Sequence, residues 1–560
     1  MQTFRIESLI LALGLALATL IPFHYSPQTV FFPEFVMAAA LFAACWRPSP
    51  EGRPASPLML SVLGFAALAT VFWPGRVGGM GYPVYLALLL VAYVCGGQSR
   101  ERALPELISF GLLFAALLQS LAGLIQLAGW NPGGLVMQKL YLQAFGNLGQ
   151  ANHYGDLLFL GLASLGFLHG RNRLSVPVML VLAGWLALAA AASASRSVWL
   201  YTFVFVVLGL WTQWRGDTQA RQTGRALLVV AVFSVMAQVL VGYGHILDVF
   251  GVTSSLDRAG DAGSNGQRLY NWHSAWLAIQ QHPWLGQGPG SFYKASIDAM
   301  FMTAPASYPK FAEHAHNLPL NLAAEFGLPM ALLLCGTLAC WALRHLLRPA
   351  SAISIWALAC VGVVAAHSMV EYPLWYLYFI VPVGLCMGAA DADDAKLPCL
   401  RVPQALAIAV CVAGIAGLVW VAHDWQRVRA AYLTLAGYEP DVPLDVRELA
   451  RADLDDVSPG SVFAAHAESL RLQSWHADES GAAQIAARCD AHWQYKPGWY
   501  MMMRCGEAYA VTGNELALTR LLTALCDGFP YHHAGVREWA QRFDAENLPA
   551  LRITGRACLK

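Results

Sequence analysis

Charge is what this sequence has least of. Of its 560 residues only 12% are Asp, Glu, Lys or Arg, while 57% are hydrophobic. Soluble globular chains carry about 25% charged residues, so half the charge needed to wet a folded surface is missing and a cytosolic enzyme is excluded. The 35 basic and 35 acidic residues cancel, and no long Lys/Arg run breaks the balance, which leaves no electrostatic footprint for a nucleic-acid partner. The chain also lacks a Gly-rich Walker loop, which argues against an ATP-driven pump. Its cysteines show no Cys-x2-Cys spacing of the kind that holds a metal. Neither a metal nor any other cofactor is expected.

What the sequence does have is long apolar runs. A bilayer-spanning helix needs roughly 20 mostly apolar residues, and thirteen such runs occupy about 4–22, 30–46, 57–73, 83–96, 106–128, 152–168, 175–193, 197–213, 225–243, 318–343, 352–370, 374–390 and 402–422. The fourth is short and the eleventh and twelfth nearly meet at Pro373, so the expectation is 12 to 14 spans. The first run has no small-residue cleavage pattern and is read as uncleaved. The predicted fold is an all-α polytopic membrane protein, with residues 1–422 forming the membrane domain and a loop at 244–317 far longer than ordinary connections.

Cytoplasmic loops carry the excess of Lys and Arg. Threading from a cytoplasmic N-terminus puts Arg47, Arg53, Arg100, Arg102, Arg171, Arg173, Arg215, Arg221, Arg225, Arg344 and Arg348 inside. The opposite loops hold few basic residues, among them Arg76, Lys139, Arg196 and Arg268. The same threading exports residues 423–560, whose composition turns to that of a soluble helical domain. Gly506, Tyr509, Gly513 and Pro530 there have the phase of one tetratricopeptide-like hairpin, following helices near 461–474 and 479–493. Cys489, Cys505, Cys526 and Cys558 lie in this tail, where an oxidising compartment permits disulfides in any of three pairings. The other eight cysteines read as small hydrophobes.

Chemistry-bearing residues gather on the exported side. In the long loop, Arg268, Leu269, Trp272, Trp276 and Ile279 repeat with helical spacing, giving an aromatic face for the membrane interface. The loop ends in Glu313-His314-Ala315-His316-Asn317, at the mouth of a span that carries Glu325. An ionisable residue inside a span reads as functional by default. Arg196 sits in a short outer turn against the positive-inside bias, and Arg268 offers a second outer guanidinium whose planar fork matches phosphate oxygens. Asn147, Gln150 and Asn152 open the sixth span, and Glu371 and Tyr372 follow the eleventh.

In this order the motifs resemble the O-antigen ligase and polymerase superfamily: Ser195-Arg196-Ser197, Arg268-Leu269-Tyr270-Asn271-Trp272, His282-Pro283-Trp284-Leu285-Gly286-Gln287-Gly288, His314-Ala315-His316-Asn317 and Glu325-Phe326-Gly327. Gly146-Asn147-Leu148-Gly149-Gln150-Ala151-Asn152-His153 and Glu371-Tyr372-Pro373-Leu374-Trp375-Tyr376 resemble its PglL-type protein O-oligosaccharyltransferase branch, which also carries an exported helical domain. The resemblance implies a metal-independent glycosyltransferase of the GT-C type, in the bacterial inner membrane, that takes a glycan from undecaprenyl pyrophosphate at the periplasmic face. The implied acceptor is a Ser or Thr hydroxyl of a periplasmic protein such as a pilin. By the same resemblance His316 is the essential loop histidine and Arg196 and Arg268 bind pyrophosphate, while Asn147, Gln150, Asn152, His314, Asn317, Glu371 and Tyr372 are substrate-side residues. An O-antigen ligase, with lipid A core as acceptor, and an O-antigen polymerase would use the same three catalytic residues. A lipid-linked oligosaccharide flippase is the non-enzymatic alternative, disfavoured because the spans read as clean of charge.

Overall fold

A computed structural model describes residues 6–76, 80–98, 103–257, 262–302, 311–436, 442–477 and 479–545. Arg100, Arg102 and Cys558 lie outside the described residues. The chain is nearly all helix. In order the helices are α1 (Ile6–Leu20), α2 (Phe31–Ala44), α3 (Pro57–Val71), α4 (Gly81–Gln98), α5 (Leu104–Leu127), α6 (Ala151–Gly170), α7 (Val176–Ala191), α8 (Ser197–Arg215), α9 (Thr218–Gly242), α10 (Ala262–Gln281) and α11 (Phe292–Met302). There follow α12 (Leu318–Leu346), α13 (Ala352–Ser368), α14 (Leu377–Ala392), α15 (Gln404–Ala436), α16 (Leu444–Asp455), α17 (Ala464–Gln473), α18 (Ala482–His492), α19 (Trp499–Val511), α20 (Glu515–Gly528) and α21 (His533–Ala545). Among the described residues the only sheet is a two-residue antiparallel pairing of Arg53–Pro54 with Cys399–Leu400.

Each of the thirteen apolar runs falls on a helix, α1 to α9 and α12 to α15. Six of these are long and apolar enough to cross a membrane by length and composition, and six are shorter apolar helices. The remaining one, α6, is more polar because it lies at the centre: every residue from His153 to Gly170 is buried. A helix enclosed by other helices need not be apolar all round, provided its polar groups find partners. At the other extreme, α15 has a mean hydropathy of 2.5 over its best window and only 11% of that window buried.

Packing divides the chain into two compact units, one of residues 1–68, 83–262 and 333–418 and the other of 69–82, 263–332 and 419–560. The compositional boundary expected at 422 is drawn differently from this one, since 263–332 packs with the C-terminal residues.

In the first unit α6 packs against α5, α7, α9 and α13. Small residues let helices approach closely, the main source of helix association in lipid: a Cβ at Gly388 of α14 would meet the Tyr93 carbonyl oxygen of α4 at 1.9 Å. The basic turns pair with acids at helix ends that the threading assigns to the same side. Glu106 takes Arg171 at 3.1 Å and Arg173 at 2.7 Å, and Asp394 takes Arg344 at 2.6 Å and also Arg348. Loop contacts at the alternate ends join the other set, as where His24 meets the Asn147 carbonyl at 2.8 Å and Trp199 donates to Ser255 at 3.1 Å.

In the second unit successive C-terminal helices pack on one another, α17 on α18, α18 on α19 and α19 on α20. The hairpin expected around Gly506 and Gly513 is α19 with α20, Gly506 lying against Trp539 and Leu521 and Gly513 turning the chain at φ +70°. Its core holds Trp493, Met502, Tyr509, Leu521 and Trp539, together with Ile297 of α11. A disulfide joins Cys489 of α18 to Cys505 of α19, and Cys526 is also disulfide-bonded. The eight free cysteines all precede residue 423.

Candidate functional site

The sequence-predicted residues fall into two groups, one in each unit. In the first unit the group is built at the head of α6. A 3-10 turn at Gly146–Leu148 precedes it, and Gln150, half-buried in extended conformation, is its N-cap. Asn147 fastens this turn: its Nδ2 donates to the carbonyls of Leu20 (2.8 Å) and Leu135 (2.9 Å), and its Oδ1 accepts from Met137 N–H at 3.0 Å. Asn152 then reaches in two directions, donating to Glu371 Oε1 at 3.0 Å and accepting from Ser195 Oγ at 2.8 Å. Ser195 belongs to the turn before α8, whose Ala194 is left-handed at φ +49°. That conformation costs a non-glycine residue free energy and persists only where the surroundings fix it. It presents Arg196 directly at the first turn of α8.

Below this corner lies a buried layer of which sequence reading reached only the ends of its motifs, His153, His367 and Tyr372, and not Asp156 or Glu34. Asp156, one turn along α6 from Asn152, bonds His367 Nδ1 at 2.9 Å, and both are fully buried. His367 is one turn before Glu371, whose N–H bonds the His367 carbonyl at 2.9 Å. His153 bonds the Tyr378 hydroxyl at 3.1 Å, with the rings of Tyr372 and Tyr376 at 6.4 and 4.4 Å. From α2, Glu34 accepts the Leu377 N–H at 3.0 Å, capping α14, and also the Tyr85 hydroxyl. Glu34 and Asp156 therefore correct the reading of the spans as clean of charge. Each acid stands in an otherwise apolar run, which was the signal available.

In the second unit the site is built by backbone. Helix α12 breaks at Gly327 (φ +79°, ψ 166°) ahead of Pro329. Proline has no N–H to give the carbonyl of Glu325 four residues earlier, and the turn at Gly327 takes Leu328 N–H away from Ala324. The two released carbonyls accept from the loop after α10: Gln287 N–H bonds Ala324 at 2.9 Å and Gly288 N–H bonds Glu325 at 3.0 Å, while Leu328 N–H bonds the Pro283 carbonyl at 2.8 Å. Only glycine fits at 286, where a Cβ would lie 2.3 Å from the carbonyl carbon of Glu325. This splice explains why the Trp-Leu-Gly-Gln-Gly and Glu-Phe-Gly runs occur together. Glu325, 1% exposed, accepts the Tyr82 hydroxyl at 2.5 Å.

The splice steadies the start of α12 and the segment before it. Asn317 accepts from Leu320 N–H at 3.1 Å in the manner of a helix cap, and Asn321 reaches back to Ala315 N–H at 2.8 Å. Ala315 is fully buried, so the half-buried His314 and His316 stand on either side of an anchored point. His316 is left-handed at φ +53°. On α10, Arg268 is half-buried one turn before Trp272, and its neighbour Tyr270 donates to the Ser296 carbonyl at 2.7 Å, fixing α10 on α11. The aromatic face of α10 is narrower than its spacing suggests: Leu269 and Trp276 are exposed, but Ile279 packs into an alanine-rich core with Ala323 and Ala324 of α12.

The tail supplies the electrostatics. Lys496 pairs with Glu313 at 3.3 Å, and the Tyr293 hydroxyl stands 3.5 Å from the other Glu313 oxygen. Burial opposes ionisation of Glu313, but Lys496, His314 and His466 outweigh it and bring the carboxyl down to about 2. His314 is pushed down to about 4, by burial above all and then by His316 and Lys496, against the pull of Glu313. It is neutral at neutral pH. Among the described residues no three His, Cys, Asp or Glu side chains gather as a metal ion would require.

Residues 178–335, which contain Arg196, Arg268, His314, His316 and Asn317, match the O-antigen ligase family. Residues 355–543, which contain Glu371, Tyr372 and most of the tail, match the family described as virulence factor membrane-bound polymerase, C-terminal. The chain is 28% identical over 461 residues to a general O-oligosaccharyltransferase of Acinetobacter baylyi, covering 77% of this chain and 78% of that one. It is 23% identical over 252 residues to the ComP-specific O-oligosaccharyltransferase of the same organism, covering 45% and 44%. With the motifs running from Gly146 to Tyr376 and these matches around them, the chain is similar to the O-antigen ligase family and, over most of its length, to protein O-oligosaccharyltransferases, which are glycosyltransferases.

Proposed function

We propose that the protein transfers an oligosaccharide en bloc from undecaprenyl pyrophosphate to Ser or Thr hydroxyls of periplasmic proteins such as pilins, at the outer face of the bacterial inner membrane. The observation that carries this reading is the placement of His316, strained and anchored on both sides at the mouth of an apolar helix. The acceptor oxygen attacks the anomeric carbon, the bond to the pyrophosphate oxygen breaks, and the hydroxyl proton passes to the imidazole of His316. A positioned base of this kind is worth roughly 10²–10⁴ in rate. The departing lipid pyrophosphate needs its charge neutralised by preorganised donors, a role for the guanidiniums of Arg268 and Arg196. Gln150, Asn152, Glu371, Tyr372 and His314 serve the substrate side, while Asn147 and Asn317 act by holding the backbone that presents them. The basic turns on one set of helix ends and the disulfide in the tail support a periplasmic face for the C-terminal domain.

The test is expression in a host that makes an undecaprenyl-linked glycan, with candidate pilins and a ligase-deficient lipopolysaccharide core offered in parallel. Wild-type protein should glycosylate a pilin, His316→Ala should not, and Arg268→Lys and Arg196→Lys should lose most transfer because an ammonium lacks the bidentate fork. Glycan on lipid A core and on no protein would instead assign the ligase reaction. Transfer by His316→Ala at the wild-type level would remove His316 from the chemistry.

A further inference from the structure

We propose that Lys496, from the C-terminal helical domain, is a positioning residue for glycan transfer: through its ion pair with Glu313 it holds the 313–317 segment, and so His316, in its working geometry. The inference rests on His316 acting in the reaction, as proposed above.

Three sets of contacts bring the tail onto the loop. At its centre Lys496 Nζ meets Glu313 Oε1 at 3.3 Å and lies 5.9 Å from the centre of the Tyr293 ring. To one side Arg520 bonds Asp298 at 2.9 Å, and Asp298 also pairs with Lys294. To the other, Phe311 packs on Phe529 with ring centres 5.8 Å apart and fills the space above Gly528. Ile297 of α11 is fully buried in the tail's own core. Lys496 is itself well placed to act as a fixed charge. Its N–H bonds the His492 carbonyl at 3.2 Å, extending α18, and α18 is pinned to α19 by the Cys489–Cys505 bond.

The contact falls at the one end of the 311–317 segment that the helix does not hold. From Ala315 onward the segment is tied to α12 through Asn321 and Asn317. Glu313 has no such tie to α12; its partners come from α11 and from the tail. The left-handed backbone at His316 persists only where its surroundings fix it; Asn321 and Asn317 hold its immediate flanks, and Lys496 fixes the segment further upstream, at Glu313. Glu313 is half-exposed, and an ion pair of that kind adds little to stability. Its effect belongs in geometry, where a displacement of about 1 Å costs on the order of 10²-fold in rate.

The experiment compares Lys496→Met, Lys496→Arg and His316→Ala in the full-length detergent-solubilised chain. The donor is an undecaprenyl-pyrophosphate-linked glycan extracted from the producing host, and the acceptor is whichever one is labelled in the paired experiment above. Lys496→Met should lower kcat about tenfold with KM for donor and acceptor unchanged, and hydrogen exchange should quicken over 311–318 but not over 464–526. Its acidic pH limb should move to higher pH, because Glu313 loses Lys496 while still facing His466 from the tail, Tyr293 from α11, Glu325 from α12 and its neighbours His314 and His316. Lys496→Arg should restore most of the rate. Wild-type kcat, pH profile and exchange in Lys496→Met overturn the inference, as does a loss that Lys496→Arg shares and that comes with a protease-sensitive tail. Transfer by His316→Ala sinks the underlying reading; an inactive His316→Ala beside an unaffected Lys496→Met sinks only the role of Lys496.

Discussion

The two groups of site residues are held by opposite means. Around Asn152 and Glu371, side chains on or just beyond the ends of regular, largely buried helices bond to one another across α6, the end of α13 and the turn before α8. Around His316, the helix is broken and the backbone does the holding, through carbonyls that Gly327 and Pro329 release from α12 and the N–H groups of Gln287 and Gly288. The first arrangement is fixed by the membrane helices of its own unit. The second depends on glycines, on an acid and a base from different segments, and on the tail. A group of the first kind should stand without the tail; one of the second kind should fail at defined points, each testable.

The largest effect is expected at Gly286. Alanine there would put a Cβ 2.3 Å from the Glu325 carbonyl carbon at φ +65°, so the splice must open. Gly286→Ala should therefore cost transfer on the order of 10²-fold, with membrane insertion unchanged. Gly336→Ala, on the helix that carries Glu325 but with nothing within 4 Å of its Cβ, is the control and should be neutral. Equal activity of the two variants in the host assay would show that the splice does not position the site.

The intermediate effect is loss of the disulfide. Cys489 and Cys505 are 16 residues apart, and closing a loop of that size stabilises by about 3 kcal/mol in the chain-entropy model. Replacing both by Ser should make residues 442–545 markedly easier to digest, with the helices of the first unit still protected. If both regions become sensitive together, the two means of support are not separable.

How far the sequence foretold this follows the same division. Apolar runs of span length located all thirteen helices, and the motifs Gly146 to His153 and Glu371 to Tyr376 named one corner, because each is a short contiguous run at a helix end. Composition marked the tail, and the Gly506 to Gly513 phase marked its best hairpin. What stayed hidden was pairing between distant segments: Glu34 as the cap of α14, Asp156 under His367, Lys496 on Glu313. No local spacing encodes such partners. The aromatics of the tail follow the same rule: Trp493 is 2% exposed in the core beside the disulfide, because an aromatic cluster in a small helical domain is needed first for packing.

The smallest effect is on pH. In the tail His466 is pushed down to about 3 and His492 to about 4, both by burial first, as His314 is in the loop at about 4. All three are carried neutral in the folded unit, whereas in the unfolded chain each binds a proton near its ordinary value of about 6.5. Between pH 6.5 and about 4 the unfolded state thus holds more protons, and stability falls as the pH drops. Glu313 acts in the same direction but weakly, since its ion pair is half-exposed, and in a lower window: the pair is complete above about 4.5 and is lost as the pH falls toward about 2. The thermal midpoint of the second unit should therefore decline from pH 7 to pH 5 on account of the histidines alone. His492→Gln, which keeps a hydrogen-bonding group for the Ser469 hydroxyl that now meets the imidazole at 2.8 Å, should flatten part of that slope. A slope unchanged in the variant, measured by proteolysis across the melt, would mean that His492 takes up its proton without unfolding.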